Sequence, residues 1–305
     1  MFNLGQRKRI KGYIDLIRPF TLLAPIIVSS CIMIASFFQN NIPNDLFSLF
    51  WTTIIPASFS LAILNGASNA LNQATDVKVD KISKPYRPIV RGDISLKEAK
   101  IVSLILYVIA FSLSFIINFT FTLIVFLIAI FTVSYSLPPR LKDKLFLNQI
   151  WIAMPRGLFG ILASWSVFGS PLEKLPLTIG FIAMTFLIGG SITKDIIDCE
   201  ADKKTGTKTL INTYGIKKAA LMALPFMVLP FAYIPILIEF GLLGSYLWVL
   251  SFLAIPAYLV FHLMLRDKKS GRVLENTPSW SLMYFTYFLF AFGFSLLTIA
   301  SSVSA

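Results

Sequence analysis

Residues 72–80 read Asn72-Gln73-Ala74-Thr75-Asp76-Val77-Lys78-Val79-Asp80 and follow directly on an apolar run over 46–70. An apolar run of that length reads as a membrane-spanning helix. On a helix, positions i, i+4 and i+8 share one face, so Asn72, Asp76 and Asp80 point the same way. Ionisable groups at such depth are costly and functional by default. Asp195, Asp198 and Asp202 repeat the arrangement at i, i+3 and i+7. Two carboxylate faces in one membrane protein predict a divalent-metal site and, with it, phosphate chemistry.

Composition supports the membrane reading. The 305 residues are 56% hydrophobic and only 14% charged, with a mean hydropathy of +0.76. A soluble domain carries about a quarter charged residues. The N-terminal residues show no short apolar core followed by a small-residue cleavage site, so the first apolar stretch is expected to remain as a span. Cys31 falls in that stretch and Cys199 on the predicted cytoplasmic side, so no disulfide is expected. With one histidine, His262, inside an apolar run, a zinc site has too few ligands. The net charge of +12 invites a nucleic-acid partner, but its distribution along the chain argues against one.

That distribution gives the topology. Nine apolar runs are long enough to span: 20–38, 46–70, 101–117, 119–134, 150–168, 175–190, 219–238, 246–265 and 280–300. Prolines at 25, 56, 225 and 230 fall inside runs, where membrane helices tolerate them. Of the 27 basic residues, 25 lie in the N-terminal segment or in the second, fourth, sixth and eighth loops. The positive-inside rule then predicts an all-α membrane protein of nine transmembrane helices around a central cavity, N-terminus cytoplasmic and C-terminus outside. Both acidic clusters fall at the cytoplasmic face. The chain reads as one domain, 1–305, in two loose halves of about 1–148 and 149–305.

Magnesium takes oxygen ligands and is held by one or two carboxylates plus substrate phosphates. Two facing clusters could hold two Mg2+ ions with a diphosphate bridging them. Five aspartates and a diphosphate against two such ions leave a net charge of about −4. Lys84, Arg87, Arg140, Lys142 and Lys194 lie within a few residues of the clusters or in the adjoining loop on the same side, where the required counter-charge is expected. Pro85 and Pro88 hold Arg87 in an extended stretch suited to a phosphate clamp. Pro138 and Pro139 likewise stiffen the chain between Tyr135 and the cations Arg140 and Lys142.

These residues resemble the UbiA superfamily of intramembrane prenyltransferases. Asn72-xxx-Asp76-xxx-Asp80 followed by Lys84-Pro-Tyr-Arg87-Pro is similar to its first signature, and Lys194-Asp195-Ile-Ile-Asp198-Cys-Glu-Ala-Asp202 to its second. Tyr135 through Lys142 is similar to the family's motif in the fourth loop. Two positions depart: Ala201 stands where the family often has Gly, and Gln73 where many members have Asp. The resemblance implies an allylic prenyl diphosphate bound through Mg2+. Asn72, Asp76 and Asp80 would serve one metal–diphosphate half, and Asp195, Asp198 and Asp202 the other. Arg87, Tyr135 and Lys142 would contact the diphosphate or stabilise charge near it.

The mechanism expected from that chemistry is C–O cleavage to an allylic cation, captured by a hydrophobic or amphiphilic acceptor in an apolar cavity that limits capture by water. The lead donor is a C20 geranylgeranyl diphosphate and the lead acceptor geranylgeranylglyceryl phosphate. Quinone precursors, chlorophyllide and porphyrins are the alternative acceptors. Arg18, at the cytoplasmic start of the first run, is a contact for an anionic acceptor or a positive-inside anchor. Arg156, inside the fifth run, needs a polar partner, for which the cavity is the place. A cation-coupled transporter would use the same carboxylates, but such sites lie near the bilayer midplane. A purely structural membrane protein leaves both clusters unexplained.

Overall fold

The computed structural model describes residues 4–267 and 277–304, and among these every regular element is helical. Eleven helices organise the chain. They are α1 (Leu4–Ile17), α2 (Pro19–Gln39), α3 (Leu46–Thr75), α4 (Val77–Ser83), α5 (Leu96–Ile117), α6 (Phe119–Ser136), α7 (147–165), α8 (Lys174–Thr205), α9 (Ile216–Ala232), α10 (Ser245–Arg266) and α11 (Pro278–Ser304). Seven of them, α2, α3, α5, α6, α8, α10 and α11, are long and apolar enough to cross a membrane.

Two of the nine expected runs take a broken form. The run at 150–168 lies mostly in α7, where a wide π turn, Met154–Leu158, interrupts the α-helix. Pro155 lacks the N–H that would continue the ladder. The run at 219–238 divides at Tyr233 into α9, which contains Pro225 and Pro230, and a short helix, Ile234–Glu239. Of the expected cytoplasmic charges, Lys268, Lys269 and Arg272 lie outside the described residues.

The packing is that of lipid-exposed helices. On α5 the outward stripe is Ile101, Leu104, Ile105 and Val108, while the buried positions are Ala99, Ser103, Tyr107, Ala110 and Ser114. Large apolar groups outside and small or polar groups inside invert the soluble pattern, because lipid replaces water as the solvent. Buried hydroxyls tie helices together: Ser60 donates to the Ala110 carbonyl at 2.8 Å and Ser103 to the Ala67 carbonyl at 2.8 Å. Ser36 donates to the Trp165 carbonyl at 2.9 Å.

Each long helix packs on its neighbour in the chain, and α11 closes against α2 to complete a ring. One core joins Ile32, Trp165, Phe186, Phe231, Phe290 and Phe294 on the later helices. A second joins Met33, Leu64, Phe121, Val125 and Leu162 on the earlier ones. Helices α2 and α7 contribute to both, so they divide the ring. The cavity, of about 270 Å³, opens between these cores.

Close approach at Gly189 holds α8 where the second acidic cluster needs it. A Cβ there would run into the Ala223 carbonyl and the Met227 side chain of α9. Gly189→Ala is expected to destabilise the protein by about 1–3 kcal/mol through overpacking. Thermal unfolding in detergent checks this; an unchanged melting temperature would show that α9 yields without cost.

Candidate active site

The first acidic motif is not one unbroken helix. Helix α3 ends at Thr75, and Asp76 adopts φ −104°, ψ 14° before α4 begins. Two backbone bonds still carry the helical pattern across the bend: Asp76 N–H to the Asn72 carbonyl at 2.9 Å, and Asp80 N–H to the Asp76 carbonyl at 2.8 Å. The expectation of a single helical face over 72–80 is therefore corrected to two helices joined by a bend. Asn72, Asp76 and Asp80 still all line the cavity.

The second motif opens on a tight 3-10 turn, Ser191–Lys194, and continues as the α-helical segment Asp195–Thr205. Its three aspartates line the same cavity. Helix α4 packs directly on this segment, so the two motifs face each other.

Five cations neutralise four of the five aspartates. Lys84 Nζ lies 2.6 Å from both carboxylate oxygens of Asp198, joining the first motif's loop to the second motif. Arg87 donates to Asp80 at 2.8 Å, and both are buried. Arg140 donates to Asp76 at 2.9 Å, and Lys142 pairs with the same oxygen. Lys194 lies 3.1 Å from Asp195. Outside the long helices, burial pushes the Asp80 carboxyl above its usual range, with Arg87 and Lys84 pulling it back. Burial pushes the Lys142 ammonium below its usual range, with Asp76 opposing. These directions follow from desolvation, which disfavours the charged form of each group.

Asp202 and Asn72 differ from the rest. Both line the cavity, and neither side chain forms a hydrogen bond or ion pair with another described residue. The six side chains of the two motifs present only oxygen donors and one amide, the chemistry Mg2+ accepts. Among the described residues no three His, Cys, Asp or Glu side chains already form a metal cluster. A hard ion that takes one or two carboxylates plus substrate phosphates does not need one.

The basic segments are held by their backbones. Arg87 is extended, φ −67°, ψ 143°, between the two prolines. Arg140 follows a cis Pro138–Pro139 bond and sits in the left-handed region at φ 53°. Arg18 does the same at φ 56°, at the junction of α1 and α2. Non-glycine residues held there cost of order 1–3 kcal/mol each and cluster at functional sites. Arg18 lines the cavity. Beside it, the Asn69 side-chain amide donates to the Thr21 hydroxyl at 2.8 Å and to the Ile17 carbonyl at 3.0 Å.

Tyr135 accepts from Lys194 at 3.0 Å, and Asn148 accepts from the same ammonium at 3.2 Å. Gln149 donates to Asp195 at 3.3 Å. Asn148 and Gln149 were not among the expected site residues. Their signal is a pair of amides at the head of an apolar run. Asp143, which accepts from Arg140 at 2.6 Å, was also missed. His262 lies in α10, away from the cavity lining.

Below this charged mouth the lining turns apolar: Val28, Leu61, Leu64, Ile128, Ile152 and Leu187. A polar, cation-rich mouth over an apolar chamber suits a molecule with an anionic head and a hydrocarbon tail.

Known proteins are similar to this chain in sequence or in fold. Digeranylgeranylglyceryl phosphate synthase of Methanosphaera stadtmanae is 36% identical over 173 residues, covering 56% of this chain and 61% of that protein. The synthase of the same name from Methanothermobacter thermautotrophicus is 26% identical over 295 residues, covering 96% of this chain and 99% of that protein. The structure of a UbiA homolog from Archaeoglobus fulgidus bound to GPP and Mg2+ has a TM-score of 0.72 at 22% identity, covering 96% of this chain and 100% of that one. Residues 22–283 match the UbiA prenyltransferase family. Since the match runs from the first long helix into the last and takes in both acidic motifs, the chain belongs to the UbiA prenyltransferase family.

Proposed function

We propose that this prenyltransferase moves a polyprenyl group from an allylic prenyl diphosphate to the hydroxyl of a prenylated glyceryl phosphate. The observation that carries this reading is one cavity with two facing acidic motifs at its mouth and an apolar chamber beneath. The shared name of the archaeal relatives supports the glycerophosphate acceptor. The C20 length of the donor is part of the same proposal.

Asn72, Asp76 and Asp80 would hold Mg2+ on one side of the diphosphate, and Asp195, Asp198 and Asp202 on the other. The bound ions supply positive charge to the departing diphosphate. Lys84, Arg87, Arg140, Lys142 and Lys194 now pair with these aspartates, and they are the cations placed to turn toward phosphate oxygens when metal takes the carboxylates. Tyr135 fixes the Lys194 ammonium beside the mouth. The allylic C–O bond breaks with its electron pair going to the diphosphate. The acceptor hydroxyl oxygen forms the new C–O bond, and its proton leaves with the diphosphate. The apolar chamber holds the prenyl tail and keeps water from the allylic cation. Arg18, at the cavity edge, faces the acceptor.

The same reading places nine crossings in the bilayer, counting the broken helix α7 and the α9 region. The N-terminus and the charged mouth then lie on the cytoplasmic side of the cell membrane, because the basic loops lie there. The whole chain acts as one domain.

Two experiments test this. The first is mass spectrometry of purified protein incubated with geranylgeranyl diphosphate, geranylgeranylglyceryl phosphate and Mg2+. A doubly prenylated glyceryl phosphate that disappears with EDTA is expected. Intact donor throughout, or transfer only to an aromatic acceptor, would overturn the acceptor assignment. The second uses Asp76→Asn and Asp198→Asn. Loss of a metal ligand should reduce turnover by at least about 100-fold, the upper end of the cost of losing an outer-shell partner. Both variants should keep the wild-type melting profile. Near-normal Mg2+-dependent turnover in both would sink the two-motif assignment.

A further inference from the structure

Arg156 stands apart from the cations at the cavity mouth. It sits in the π turn Met154–Leu158 of α7. A wide turn changes the angular position of its residues relative to a regular α-helix. Its neighbour Gly157 presses against α8, where a Cβ would collide with the Met184 backbone. Arg156 itself lines the cavity. Its guanidinium donates to the Tyr284 hydroxyl at 3.0 Å, and its carbonyl accepts from the Tyr287 hydroxyl at 2.8 Å. Trp280 packs on Tyr284 with ring centroids 4.2 Å apart. The arginine is thus fixed at both ends by the wall that α11 presents.

Its electrostatic position is unlike that of Lys84, Arg87, Lys142 or Lys194, each of which reaches a carboxylate. Among the described residues no carboxylate pairs with Arg156, and its side-chain partner is a neutral phenol. Arg156 is exposed rather than buried, so its guanidinium is open to a ligand, and a cation without a counter-charge in an apolar run marks a ligand or a pathway. It carries a planar donor fork matched to phosphate or carboxylate.

The donor diphosphate does not account for it. Asn148, which contacts Lys194, lies eight residues earlier on α7, roughly 12 Å along the helix axis at 1.5 Å per residue. A diphosphate held among Lys84, Lys194 and the aspartates does not reach that far. The second substrate can.

We propose that Arg156 anchors the anionic group of the acceptor, a phosphate monoester or a carboxylate, on the α7–α11 wall and so sets which acceptors the enzyme takes. This rests on the prenyl-transfer reading above and adds a residue that selects the substrate. Tyr284 is the positioning residue that aims the guanidinium.

The test compares the wild type with Arg156→Gln, Arg156→Lys and Tyr284→Phe in the full-length protein. The donor is geranylgeranyl diphosphate with Mg2+. The acceptors are geranylgeranylglyceryl phosphate, its dephosphorylated alcohol and 4-hydroxybenzoate. Arg156→Gln should raise the KM for the phosphorylated acceptor at least about tenfold, the scale of one lost charge-assisted hydrogen bond. The donor KM should stay within about twofold, and the preference for the phosphorylated acceptor over the alcohol should collapse. Arg156→Lys should recover part of that preference. Tyr284→Phe, which keeps the charge, should raise the acceptor KM less and serves if Arg156→Gln does not fold. If the wild type instead uses only the benzoate, the same KM shift for that acceptor upholds Arg156 while overturning the glycerophosphate reading. An unchanged acceptor preference, a fall in kcat alone, or an equal rise in the donor KM would overturn the proposal.

Discussion

Lys84 crosses from the segment after the first acidic motif to bind both oxygens of Asp198 in the second. The arrangement of the cavity mouth depends on this contact. Two carboxylate faces brought together repel each other, and an unpaired buried charge is strongly destabilising. The ion pairs Lys84–Asp198, Arg87–Asp80, Arg140–Asp76, Lys142–Asp76 and Lys194–Asp195 neutralise four of the five aspartates that share the cavity. Such pairs are weak evidence for stability in themselves, because desolvation offsets much of the Coulomb gain. Their value here is exchange. A cation that now faces a carboxylate is already in place to face a phosphate.

The rest of the fold serves that mouth. The ring from α2 to α11 surrounds the cavity, with the charged mouth at one end and an apolar chamber beneath it. Close packing at Gly189 and Gly157 sets α8 against α9 and α7. Helix α7 carries Asn148 and Gln149 at its head, on Lys194 and Asp195, and Arg156 two turns on. One helix therefore touches both the acidic mouth and the α11 wall. In the proposed reaction, those are the places of the two substrates.

Much of this was legible from local sequence. Long apolar runs, the one-sided placement of Lys and Arg, and the regular spacing of aspartates depend on composition and helical period. Seven of the runs appear as long helices, six with nearly the expected edges, while the run expected at 175–190 continues to Thr205 through the second acidic motif. Prolines correctly marked Arg87 as extended. What could not be read depends on contacts between distant residues or on backbone irregularity. Lys84 and Asp198 are 114 positions apart, and nothing in either neighbourhood names the other. The bend at Asp76 keeps the helical hydrogen bonds on both sides, so no proline or glycine announces it. Asn148 and Gln149 look like ordinary amides at a helix start until Lys194 and Asp195 arrive from α8. The π turn at Pro155 was foreshadowed by the proline, but the contact between Arg156 and Tyr284 needed α11 in place.

In the proposed reaction, four of the five aspartates stay committed to internal cations until a diphosphate arrives with its metal. Electron paramagnetic resonance with Mn2+ in place of Mg2+ tests it most directly. The full-length protein is titrated with and without a non-reactive prenyl diphosphate analogue, with the analogue alone in buffer as the reference. Mn2+ is expected to bind at least about tenfold tighter with protein and analogue together than with either alone. Equal Mn2+ affinity for the protein with and without the analogue would contradict it.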